Sequence, residues 1–143
     1  MKGSEEAKAA MRAIALQEPS KELVAKVPDG DEWTAYVSAM FAGVLEKVFK
    51  DDQSHDAIHR FVDEMQTQYR HLDPPLKVLT LEGLIRVMFG EDHFLDEISG
   101  KDQIQLSLLT ITKVVATDPE VSRNLEAYLN DGVTLADSWL AGD

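Results

Sequence analysis

The sequence predicts an all-α fold, and three observations carry that expectation. Apolar residues recur at helical spacing in several stretches, separated by Asp, Ser, Pro and Gly signals. No segment shows the period-two alternation of a strand flanked by hairpin turns. One stretch, between Asp73 and Gly90, is apolar on more than one side, as a helix is when others pack around it. We therefore expect a single compact multi-helix domain of about six to eight helices, built around a central apolar helix at residues 74–89.

That central helix is delimited by its own residues. Pro74 suits a first helical position, with Asp73 as its cap, and Gly90 suits the left-handed residue that follows a helix end. Val78, Leu81, Leu84, Ile85, Met88 and Phe89 form one broad face. Leu76, Leu79 and Val87 fall outside it, with Gly83 beside them as a crossing point for another element. A second covered side is expected, with Leu79, Leu84, Ile85 and Met88 all deeply buried.

The other elements follow in order. Residues 1–28 read as an N-terminal helical arm and residues 29–143 as the helical core domain. In the arm, Ala7, Ala10, Met11, Ile14 and Ala15 make a narrow face that could dock weakly, reach a second subunit or fray. Glu18-Pro19-Ser20 should break it. Asp29 with Glu32 resembles a capping box, followed by a stripe from Trp33 to Val48 and a small-residue side at Ala35, Ala39, Ala42 and Gly43. Ser54 opens a surface helix with one stripe, Ile58, Phe61, Val62, Met65, Tyr69 and Leu72. Glu91 to Ile98 reads as a short acidic helix. Ser99 and Asp102 cap the next, with Ile104, Leu108, Ile111 and Val115 on its face. Asp118-Pro119 caps another, for which Asn130-Asp131-Gly132 is the expected stop, and Trp139 and Leu140 should pin the tail.

Composition bounds what such a protein does. Of 143 residues, 26 are acidic and 14 basic, a net charge of −12, with the larger excess in the second half. Nucleic-acid backbones and anionic membranes attract basic surfaces, so neither is an expected partner. No Cys is present, which removes disulfides, thiolate metal sites and Cys nucleophiles. No run approaches the length of a membrane span, and the first residues lack a leader's apolar core, so a soluble, cytoplasmic protein is expected.

Three groups of side chains are candidates for chemistry. His55, His59 and Asp63 stand four apart on one helix row, where two imidazoles and a carboxylate could hold a divalent transition metal. The bland alternative is a solvated flank on which the histidines partner nearby acids. Glu91, Asp92, Asp96 and Glu97 form an acidic segment in which Asp92/Asp96 and His93/Glu97 would pair at helical spacing. Glu82 and Arg86, also four apart, should form a structural ion pair beside the core. An apolar pocket near Trp33, Phe41, Met65 and Met88 is a further option, although such residues are usually core.

No phosphate loop, nucleophile elbow, His-Glu-x-x-His run or calcium loop occurs. The expected function is therefore a non-enzymatic interaction module, an acidic adaptor- or inhibitor-like domain that needs no cofactor. Its partner would be a protein, basic in character, met through Glu91, Asp92, Asp96 and Glu97, and homo-oligomerisation through the arm is a further expectation. The alternative is a metal-binding helical protein or metalloenzyme centred on His55, His59 and Asp63.

Overall fold

A computed structural model describes residues 3–18, 21–28 and 30–141 of the chain. Among them are eight α-helices, one 3₁₀ helix and no strand, in agreement with the all-α expectation. The helices are α1 Ser4–Ala15, α2 Lys21–Ala25, α3 Gly30–Val48, α4 His55–Gln68, α5 Val78–Met88, α6 Gly100–Thr117, α7 Pro119–Arg123 and α8 Leu125–Leu140, with the 3₁₀ helix at Asp92–Glu97 between α5 and α6. The Asp29 cap and the Pro19-Ser20 break lie outside the described residues.

Two units make up this helical domain: Met1–Val44 with Ser107–Asp143, and Leu45–Leu106. Both divisions fall inside helices, α3 and α6.

In the first unit α1 packs against α8 and α2. Ala7, Ala10, Met11 and Ala15 are all buried, so the narrow face is docked on the chain itself. Polar contacts run alongside. Arg12 donates from Nε and Nη2 to both carboxylate oxygens of Glu126 at 2.7 Å, and Lys8 Nζ donates to Asn130 Oδ1 at 3.1 Å. A short alanine-rich helix thus gains a bidentate charge pair, which fixes its register more firmly than apolar area alone.

Of the predicted small side of α3, Gly43 lies near Tyr128 of α8, but it is Tyr36 and Met40 that face Gly132, a residue read differently in the sequence. Gly132 is not a helix stop. It sits inside α8, buried, where an added Cβ would lie 2.9 Å from Met40 Sδ and 3.0 Å from Tyr36 Cε1. Tyr36 Oη donates to the Leu129 carbonyl at 3.2 Å, fixing the ring against that turn. Asn130-Asp131-Gly132 resembles a terminator locally, but the close approach of two helices demands a missing side chain there. Trp139 and Leu140 do not pin the tail either, since both are exposed.

In the second unit α4 packs on α5. Its stripe is buried at Ile58, Phe61, Val62 and Met65, but the helix ends at Gln68, so Tyr69 is only half-buried and Leu72 is exposed. Ser54 Oγ accepts from the Ala57 amide at 3.1 Å and caps the start of the helix. The Phe49 ring stands edge-on to Phe61 and Phe89, at centroid distances of 5.4 and 5.6 Å.

α5 is shorter and more one-sided than expected. It starts at Val78, with Lys77 as N-cap, and not at Pro74. Pro75 disfavours helical geometry at Pro74, so the pair Pro74-Pro75 cancels the start signal a single proline would give. Leu81, Leu84 and Ile85 are buried, Met88 is half-buried, and Leu79 is 81% exposed. Of the expected second side only Gly83 is buried, with the Phe94 ring as close as 3.5 Å to the position of a Cβ.

Candidate functional site

The end of α5 creates the site. Gly90 has φ 102°, in the left-handed region. Its amide donates to Val87 O at 3.1 Å, and the Glu91 amide donates to Arg86 O at 3.0 Å. These are the two bonds of a Schellman motif, and they turn the chain back over the last turn of α5. Glu91 is thereby set against Arg86. Arg86 Nε donates to Glu91 Oε2 at 2.9 Å, and Nη2 donates to Oε1 at 2.8 Å.

His55 Nε2 donates to the same Oε2 of Glu91 at 3.0 Å. Arg86 first, and His55 second, hold the Glu91 carboxyl down at about 2. Below them on α4, His59 Nδ1 donates to Glu82 Oε1 at 3.1 Å. His59 Nε2 stands 3.6 Å from Asp63 Oδ2. Both ring nitrogens face carboxylates, which only accept, so the imidazolium is favoured. The His59 pKa is raised, chiefly by its bond to Glu82 and then by Asp63.

Several expectations are corrected here. Glu82 and Arg86 do not pair with each other; one takes His59 and the other Glu91. His55 and His59 sit on one row, yet they reach different acids on different parts of the chain. Among the described residues, no three His, Asp or Glu side chains form a group that could hold a metal ion. The two histidines instead tie α4 to α5 and to the residue beyond it.

The acidic segment is a helix, but a 3₁₀ one. With three residues per turn, side chains align at i and i+3. Asp92/Asp96 and His93/Glu97 therefore do not stack. Phe94 and Glu97 share a side instead, and Phe94 lies on Gly83 of α5. The Arg86 guanidinium, 4.8 Å from the ring centroid, stands over Phe94. Glu91 is thus committed to internal pairs, while Asp92, Asp96 and Glu97 are exposed and have no ion-pair partner among the described residues.

Between α5 and the 3₁₀ helix lies an open cleft of about 350 Å³. Gly83 and Phe94 are its floor, and Leu79 and Ile98 its apolar walls. Thr80, Glu82, Arg86 and Glu97 supply its polar edge. Phe94, Leu79 and Ile98 escaped the sequence reading as site residues. The available signal was Gly83 in line with Leu79, but its partner could not be found by α-helical spacing. Phe41 and Met65 are ordinary core side chains and do not line this cleft.

No protein-family model, curated protein or solved structure matches the chain. Among the described residues, no helix is long and apolar enough to cross a membrane.

Proposed function

We propose that the chain is a non-enzymatic protein-interaction module of adaptor or inhibitor type, which meets a basic partner through the acidic 3₁₀ helix. One observation supports this most: Asp92, Asp96 and Glu97 are exposed, without an ion-pair partner among the described residues, on a backbone held firm by Glu91, Arg86 and Phe94. Carboxylates on a fixed frame lose little conformational freedom on meeting a partner, and their shared sign speeds encounter with a basic surface. Glu91, named with them in the sequence, belongs to the frame. The His55, His59 and Asp63 alternative gains no support from the geometry, because the histidines are spent on separate acids.

The test is a comparison of two baits. Full-length chain and the variant Asp92→Lys with Asp96→Lys and Glu97→Lys are used to capture partners at low and high salt. A partner retained by the first at low salt, and lost with either the variant or the salt, supports the assignment. Capture that ignores both the substitutions and the salt overturns it.

A further inference from the structure

Resting on that assignment of the acidic face, we propose that the cleft over Gly83 seats one large apolar side chain from a basic segment of the partner protein, with Glu97 pairing a flanking Lys or Arg.

The cleft has the chemistry for such a guest. Gly83 carries no side chain, so Phe94 settles onto α5 and the space between Leu79 and Ile98 stays open. Leu79 is 81% exposed, the most exposed of the chain's large apolar side chains in the described residues. It stands one helical turn before Gly83, on the same side of α5, so a guest entering the cleft would cover it. A volume of about 350 Å³ suits one side chain and not a whole helix face.

Charge decides what surrounds the guest. Arg86 is matched by Glu91, and Glu82 is matched by His59. Glu97 is the carboxylate at the cleft edge without a partner among the described residues, and Asp92 and Asp96 stand on the same short helix. An apolar residue between Lys or Arg satisfies both the walls and the edge. A second copy of a chain with net charge −12 would instead bring like charge to this edge.

The experiment uses the full ¹⁵N-labelled chain and three synthetic peptides of equal length. One is Lys-rich with a single central Leu, one has that Leu replaced by Ala, and one has every Lys replaced by Glu. We expect the Leu peptide to bind about tenfold or more tightly than the Ala peptide, as full burial of a Leu side chain implies. Its amide shifts should centre on Leu79, Gly83, Phe94 and Ile98. Leu79→Glu, at a site exposed enough to leave the fold intact, should erase the Leu–Ala difference, and Glu97→Lys should weaken both Lys-rich peptides. Equal binding of Leu and Ala peptides, or shifts centred elsewhere, overturns the cleft assignment while the acidic face stands. Binding of the Glu peptide as tight as the Lys peptides overturns the acidic face as well. Self-association abolished by Leu79→Glu would make the occupant a second copy and overturn the basic segment.

Discussion

Glu91 pairs with Arg86 through both of its oxygens because the left-handed Gly90 turns the chain back by one step. The pair closes the end of α5, and the same Arg86 guanidinium stands over the Phe94 ring of the 3₁₀ helix. A local backbone motif therefore sets the frame on which the exposed acids stand.

The Glu91 pair should appear in the pH dependence of stability. Its folded pKa, about 2, lies below the ordinary Glu value of about 4.3. A depressed pKa adds stability that is fully present above the unfolded value and is lost as pH falls through the folded one. Urea midpoints of the wild type and Glu91→Gln should be separated near neutral pH and converge between about pH 4.3 and pH 2. A separation that persists at pH 2 would show that the substitution acts through packing.

His59 has the opposite sign. Its raised pKa adds stability present below the unfolded value of about 6.5 and lost as pH rises through the folded one. An NMR titration should place His59 above an ordinary His, and Glu82→Gln should move it back down. An unchanged titration in that variant would assign the shift to Asp63 instead.

Two Gly→Ala changes inside helices should differ in sign. At Gly83 the nearest atom to a new Cβ is Phe94 Cγ at 3.5 Å, an ordinary contact, so Gly83→Ala should stabilise by about 0.5–1 kcal/mol through reduced chain entropy. At Gly132 the Met40 sulfur can move, but Tyr36 Cε1, at 3.0 Å, belongs to a ring held by its bond to the Leu129 carbonyl. Overpacking there should outweigh the entropy gain, for a net loss of about 1 kcal/mol. Equilibrium urea unfolding of both variants checks this, and equal signs would contradict the close α3–α8 approach.

Leu84 and Leu79 test which side of α5 is core. Leu84 is 1% exposed and Leu79 81% exposed. Leu84→Ala should cost about 2–5 kcal/mol, as a cavity in a packed core does. Leu79→Ala should stay within about 0.5 kcal/mol, the range of surface substitutions. Comparable losses in thermal and urea unfolding would mean that Leu79 is covered in solution.

The sequence by itself determined what depends on neighbours within a turn. α4 begins after Ser54 as read, and Ser99 Oγ accepts from the Asp102 amide at 3.1 Å, the cap read there. Asp118 accepts from Glu120 and Val121 ahead of Pro119, and Gly90 ends α5. The stripe of α4 was equally plain from Ile58 to Met65, because a helix buried on one side repeats every three to four residues.

Tertiary structure decided the rest. α5 offered two apolar sides, and spacing alone could not say that Leu81, Leu84 and Ile85 face the core while Leu79 faces water. Arg86 had Glu82 at one helical turn and Glu91 beyond the helix end, and the Schellman turn chose Glu91. Gly132 read as a stop until Tyr36 and Met40 of another helix occupied the space its side chain would need. Caps and stripes follow from local hydrogen bonds and periodicity, whereas the buried side of a helix, the partner of a charge and the purpose of a glycine depend on what the distant chain brings alongside.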